Sequence, residues 1–257
     1  MDRSIQKPHL SVSQILMYIR CPLQYYFRYI MNLKVPPKAA LAFGRSMHTT
    51  LELNYKQKVE SHDDLAEDIM CDSFVTDWDK FSPIVEFEDE EDPAEIKDTG
   101  VELVKSYRKN VAITIQPVEV EMKCEINIVD VAKPIIGYID LIDDKERIID
   151  HKTASRSPDI KKITQSIQLT SYAISYFAKY QKMPTSLVLD YLIKTKEPKI
   201  VRLEGTRNEG DIKRFVRTVK DVAKNIDDKR FHPCDPESWI CSEKWCGYWK
   251  VCHEKYL

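Results

Sequence analysis

Gly137-Tyr138-Ile139-Asp140-Leu141-Ile142 and, a few residues on, Ile148-Ile149-Asp150-His151-Lys152-Thr153 decide how this chain is read. Each half is a short, β-branched run of the kind that forms a strand. Asp143-Asp144-Lys145 between them reads as a turn, so the pair is predicted as strands over 135–142 and 147–151. Asp150 and Lys152 are two positions apart and share one face of their strand. Asp140 and Asp150 stand near the ends of two successive strands, and their convergence is an expectation for the fold. An acid and a lysine on one face, behind two isoleucines, is unusual for a structural strand. An ordinary surface ion pair between Asp150 and Lys152 is the plain alternative.

Working outward, residues 117–129 alternate. Val118, Val120, Met122, Cys124, Ile126 and Ile128 are assigned to one face, and Glu119, Glu121, Lys123 and Glu125 to the other. Strands are also expected at 186–194 and 200–203. Helical spacing predicts a helix from a Ser11 or Ser13 cap through about Tyr29, with Ile15, Leu16, Ile19, Leu23, Tyr26 and Phe27 inward. Further helices are expected at 43–59, 63–80, 94–111, 160–181 and 208–227. Helices, then a meander, then helix, strand and helix make a mixed α/β or α+β chain. The 257 residues are read as a single domain. It has a mainly helical part at 1–112, an α/β core at 113–230 and a Cys-rich end at 231–257.

The net charge is −2, but its distribution is uneven. Residues 60–102 hold 17 acidic and 2 basic side chains, ending in Glu86, Glu88, Asp89, Glu90, Glu91 and Asp92. A solvated helix face plus a loop accounts for this run; a shield against nucleic acid is the sharper alternative. Lys194, Lys196, Lys199 and Arg202, then Arg207, Lys213, Arg214, Arg217, Lys220, Lys224, Lys229 and Arg230, suit a phosphate backbone or an exposed helix equally well. Six glycines, with neither GxGxxG nor GxxxxGK[ST], exclude the usual nucleotide-cradling loops. No apolar run reaches the length of a membrane span, and the start, MDRSIQKPHL, lacks a signal-peptide core. A cytoplasmic protein is expected.

The chemistry that fits Asp140, Asp150 and Lys152 is metal-assisted phosphodiester hydrolysis. Carboxylates suit Mg²⁺ or Mn²⁺, and a lysine beside them can orient water or meet developing charge on a phosphate. Seven cysteines, an odd number, point to thiols in a reducing compartment rather than disulfides. Cys71 and Cys124 fall on apolar faces and read as core residues. Cys241, Cys246 and Cys252 lie close together near the end, among Trp239, Trp245 and Trp249, which are expected to keep a metal group dry. Cys234, Cys241, Cys246 and Cys252 could hold Zn²⁺ locally, although no CxxC pair is present. A 4Fe-4S cluster would also need four thiolates. Spacing does not choose between the metals.

The spacing D-x₉-D-x-K, preceded by glycine and set in apolar strands, resembles the PD-(D/E)xK nuclease core. The nearer resemblance is to its RecB/AddB-type exonuclease branch, which includes CRISPR-associated RecB-like enzymes. Gly44-Arg45-Ser46-Met47-His48 resembles that branch's histidine motif, and Gln168-x₃-Tyr172 its QxxxY motif. Cys21-Pro22 with Cys241-x₄-Cys246-x₅-Cys252 resembles its iron–sulfur subgroup. The proline of the family name is absent, the second acid is Asp150 where glutamate is common, and 60–112 matches no part of the pattern.

The resemblance implies a restriction-endonuclease-like fold with a central mixed sheet flanked by helices. It implies a divalent-metal-dependent DNA exonuclease acting on single strands or ends. His48, Asp140, Asp150 and the His151 carbonyl would hold Mg²⁺ or Mn²⁺, and Lys152 would position water. Gln168 and Tyr172 would support the site or touch DNA. Cys21, Cys241, Cys246 and Cys252 would hold a 4Fe-4S cluster, closing the C-terminal segment on Cys21. Glu119 or Glu121 could add a ligand, and Glu52 could orient His48. Recombination, repair, phage DNA processing and CRISPR adaptation are the settings implied, with a homo-oligomer or a protein of those pathways as possible partner. A catalytically weak DNA-binding or recombination-partner module on the same fold is the alternative, and a zinc-stabilised structural protein a third reading.

Overall fold

The computed structural model describes residues 8–195 and 197–256; Lys196 of the basic stretch lies outside them. The elements are α1 (Val12–Arg20), α2 (Pro22–Tyr25), α3 (Ala39–Ser61), α4 (Glu67–Phe81), α5 (Pro93–Asn110), β1 (Pro117–Ile126), β2 (Ile135–Asp143), β3 (Arg147–Ala154), α6 (Lys161–Thr164), α7 (Ile167–Tyr180), β4 (Ser186–Ile193), β5 (Lys199–Gly205), α8 (Glu209–Asp227) and α9 (Trp249–Tyr256). They form a mixed α/β fold with one five-stranded sheet in the order β1-β2-β3-β4-β5. β2 and β3 pair antiparallel, β3 and β4 parallel, and β4 and β5 antiparallel. The parallel pair is joined through α6 and α7, since parallel neighbours need a crossover connection.

The chain forms two compact units. One comprises Pro36–Cys124 and Tyr138–Arg207. In it, Phe43, Met47, Leu51, Phe74, Trp78 and Leu103 of α3, α4 and α5 pack on one sheet face, against Leu141, Ile149 and Val188. On the other face Leu169, Tyr172, Ala173 and Tyr176 of α7 pack against Ile139, Ile142, Ile148 and Leu189. Both faces of the central strands are therefore covered, which explains the apolar runs of β3 and β4. Cys124 is buried in the second cluster, and Cys71 packs against the first. The other unit comprises Met1–Val35, Glu125–Gly137 and Asn208–Leu257 and holds the cysteine-rich segment.

Three sequence expectations are corrected. The first helix does not run to Tyr29. Cys21 is extended, at φ −160° and ψ 105°, because a residue before proline is pushed out of helical geometry. The Ser11 cap is as expected, its hydroxyl accepting from Gln14 N–H. The helix placed at 160–181 is two, with Ser166 capping α7 by accepting from Leu169 N–H. The alternation of β1 is not continuous. Val120 packs on the α3 side whereas Met122 and Cys124 pack on the α7 side, and Val118 is exposed. The break falls at Glu121, whose φ is +54°. A residue held in the left-handed region inside a strand breaks the pleat as a β-bulge does, and it moves the following side chains to the other face.

Candidate active site

The site lies in the unit built around β3 and β4. One step beyond the last paired residues of β2 and β3, Leu141 and Ile149, come Asp140 and Asp150. The expected convergence is therefore present. The period of β3 sends Asp150 and Lys152 towards α7, and His151 the other way, towards α3 and α5.

On the α7 side four groups close a ring. Lys152 Nζ lies 2.6 Å from Asp150 Oδ2 and donates to Gln168 Oε1 at 3.1 Å. Gln168 Nε2 donates to Tyr172 Oη at 2.6 Å, and Tyr172 Oη reaches Asp150 Oδ1 at 3.5 Å. Gln168 and Tyr172 are one helical turn apart, so both face the strand. Asp150 is fully buried, which raises its pKa; the Lys152 charge opposes that and Asp140 adds to it. Burial pulls Lys152 down, but Asp150 and Asp140 outweigh it and keep the ammonium protonated. Burial also lifts the Tyr172 phenol well above its ordinary value.

Asp140 is approached from α3 and β3. Its Oδ2 accepts from the His151 main-chain N–H at 2.9 Å and lies 3.3 Å from His48 Nδ1 and 3.5 Å from His151 Nδ1. Burial would raise this carboxyl, yet the contact with His151 and the charges of His48, His151 and Lys152 hold it down at about 2. His48 stands on α3 with about a third of its side chain open to solvent. Gly44, one turn earlier, fits because a Cβ there would stand 3.2 Å from Thr153 Oγ1 of β3. Glu52 pairs with Lys56.

Among the described residues no group of three or more His, Cys, Asp or Glu side chains is closed up tightly enough to hold an ion. The donor set nevertheless fits a hard divalent cation in kind: two carboxylates and an imidazole from adjacent elements. Asp150 Oδ2 supplies the test. It is buried and its close partner is the Lys152 ammonium at 2.6 Å, and a carboxylate oxygen with a single partner keeps a lone pair for a cation.

The bulge in β1 separates two acids that the sequence placed together. Glu119 turns to α7, where Lys179 and Tyr180 bind it. Glu121 turns to the α3 side, within electrostatic reach of Asp140, Glu52, Lys56 and His151. Its half-buried carboxyl is pushed up to about 7, first by burial and then by Asp140 and Glu52.

A family model for the PD-(D/E)XK nuclease superfamily matches residues 9–253. This chain belongs to that superfamily. Nucleases of the superfamily generally use divalent ions such as Mg²⁺ or Mn²⁺. The chain is similar to the crystal structure of a "Putative exonuclease" from Eubacterium rectale, with 11% identity and a TM-score of 0.58 over 92% of this chain and 88% of that one. It also aligns with the crystal structure of SSO0001, at 19% identity and a TM-score of 0.38, over 80% of this chain and 97% of that one. At 11% identity the likeness to the Eubacterium rectale structure concerns the fold. A comparison with curated proteins finds no match.

The other unit gathers the thiols. Cys21, Cys241, Cys246 and Cys252 line one pocket with Leu23, Phe27 and Trp249, and Cys234 lines it with them. Cys246 Sγ accepts from Gln24 Nε2 at 3.1 Å. Burial raises the Cys234 thiol to about 12, reinforced by Cys21 and Cys241. The expectation that all three tryptophans seal this pocket is corrected: Trp239 is 65% exposed and Trp245 55%. Each lies within a turn of a cysteine, yet the short turns here aim both rings outward. Of the basic stretches, Arg202 is bound bidentately by buried Asp190, and Arg207 is buried against the Ile163 and Ser166 carbonyls. Both are structural. Lys213, Arg214, Arg217 and Lys224 remain exposed on α8. Among the described residues no helix is long and apolar enough to cross a membrane.

Proposed function

We propose that this nuclease is a divalent-metal-dependent deoxyribonuclease acting as an exonuclease on single strands or DNA ends, in recombination, repair, phage DNA processing or CRISPR adaptation. The reading rests on the closed ring of Asp150, Lys152, Gln168 and Tyr172 facing Asp140 and His48. His48, Asp140, Asp150 and the His151 carbonyl are the residues that would hold Mg²⁺ or Mn²⁺. Such an ion acidifies water and neutralises phosphate charge. Lys152 orients the attacking water and donates to the phosphate oxygens as charge develops there. Gln168 and Tyr172 fix the lysine, because its Nζ has partners on both sides. Low-lying Asp140 stays ionised throughout the working range of pH.

Cys21, Cys241, Cys246 and Cys252 are proposed to hold a 4Fe-4S cluster; their meeting in one apolar-lined pocket supports this over scattered core thiols. The whole chain then serves one nuclease module working in the cytoplasm, alone or with a second copy or a recombination or CRISPR protein. The test is cleavage of end-labelled single-stranded and duplex DNA with Mn²⁺, comparing wild type with Lys152→Ala. A fall of about 10²–10³-fold is expected, the scale of losing one positioned electrostatic group. No cleavage of any DNA by wild type, with salt-sensitive binding indifferent to Mn²⁺, would favour the binding module instead.

A further inference from the structure

Behind Asp140 runs a buried chain of polar groups from three elements. Tyr55 Oη of α3 and Tyr107 Oη of α5 are 2.8 Å apart, and Tyr107 Oη is 2.8 Å from His151 Nε2 of β3. The other ring nitrogen of His151 faces Asp140 Oδ2 at 3.5 Å. All three chain residues are buried. The imidazole stacks on Tyr55 at 5.9 Å and meets Tyr107 edge-on at 5.6 Å, so it cannot turn over without displacing one of them.

The positions of the hydrogens follow from what each group can do. A carboxylate only accepts, and a neutral imidazole carries one N–H. With the proton on Nε2, the Nδ1 lone pair would face Asp140 Oδ2, two acceptors opposed in a buried site. With the proton on Nδ1 that contact is attractive, and Nε2 is left to accept from the Tyr107 hydroxyl. The single hydrogen of Tyr107 is then committed, so Tyr55 supplies the one between the two phenols. Every hydrogen in the chain points towards Asp140. The partner of one ring nitrogen sets the tautomer presented by the other.

We propose that Tyr55, Tyr107 and His151 are positioning residues which lock His151 in its Nδ1–H tautomer and hold Asp140 Oδ2 turned into the protein, leaving the other carboxylate oxygen for the divalent ion. This rests on the reading of Asp140 as a metal-binding carboxylate. It also gives the His151 side chain a role apart from its carbonyl.

The experiment combines ¹⁵N spectra of the imidazole rings at alkaline pH, without metal, with calorimetric titration of Mn²⁺. Wild type is expected to show His151 protonated on Nδ1. Tyr107→Phe keeps the ring and removes one hydroxyl; it should mix the tautomers and weaken Mn²⁺ binding about ten- to hundredfold, the usual effect of removing a group that orients a metal ligand. Tyr55→Phe leaves the Tyr107–His151 bond in place and should weaken binding less. Protonation of wild-type His151 on Nε2 overturns the proposal, as does Mn²⁺ affinity of Tyr107→Phe within twofold of wild type. If Tyr107→Phe does not fold, the wild-type spectrum and Tyr55→Phe decide. Wild type that binds Mn²⁺ but cuts no DNA overturns the nuclease reading and leaves the chain standing. Wild type that binds no Mn²⁺ removes the basis of both.

Discussion

Replacing Glu121 by glutamine should stabilise the metal-free protein, and only at higher pH. The carboxyl sits at about 7 in the folded chain against an ordinary 4.5. The native state therefore binds this proton more tightly than the unfolded state does. Stability contributed at low pH is lost as the pH rises through that window, and the loss is complete above about pH 7. Full conversion of the shift gives roughly 3.4 kcal/mol. Half the group is in solvent, so screening brings this to about 1.5 kcal/mol. Of that, about 1 kcal/mol falls between pH 5 and pH 8, or about 2–4 °C in Tm for a chain of this size. Glutamine keeps the shape and the left-handed backbone while removing the charge. The assay is thermal unfolding of both proteins with chelator present, at half-unit steps from pH 5 to 8. The advantage of Glu121→Gln should grow across the series. The same difference at pH 5 and pH 8, or a glutamine variant less stable at pH 8, would refute the argument that Glu121 is turned into the acidic side of the site.

Asp140 gives the opposite sign. Its carboxyl is held near 2, so the stability it contributes is present above its ordinary value of 3.8 and disappears as pH falls from there towards 2. Asp140→Asn should flatten that acid limb in a denaturation series, and an unchanged limb would count against the His48 and His151 contacts. Tyr172→Phe takes away the 2.6 Å acceptor of Gln168. With Lys152 less well fixed, kcat should fall about tenfold with KM for DNA nearly unchanged; a change confined to KM would assign Tyr172 to substrate binding. Gly100→Ala would set a Cβ 2.0 Å from the Phe74 ring, where α5 meets α4. A loss of about 1–3 kcal/mol is expected in denaturant unfolding, and full stability would contradict that packing.

The order of motifs carried the site a long way. Asp140, Asp150, Lys152, Gln168 and Tyr172 were readable because each sits on a regular element, where spacing gives the face directly. The paired strands brought the two acids together, and one turn of α7 brought Gln168 and Tyr172 to them. The convergence of Cys21 with the C-terminal thiols followed from the resemblance rather than from spacing, since more than two hundred residues separate them.

The sequence by itself determined the fold class, and the strand pair and the helix that hold the proposed site, because the periods of apolar residues are local and survive into the folded chain. Tertiary structure alone decided three things. Glu121 and Glu119 went to opposite faces because one residue at positive φ interrupts the pleat, and periodicity cannot register a break that depends on a single torsion angle. Cys234 joined the other thiols because the irregular stretch before it is tied to α2, where Leu23 N–H donates to the His232 carbonyl at 3.1 Å, while the turns that follow from Pro236 expose Trp239 and Trp245. Tyr55, Tyr107 and His151 became one hydrogen-bonded chain because three elements pack there. Their partners lie 44 and 52 residues apart, and each reads locally as an ordinary core residue.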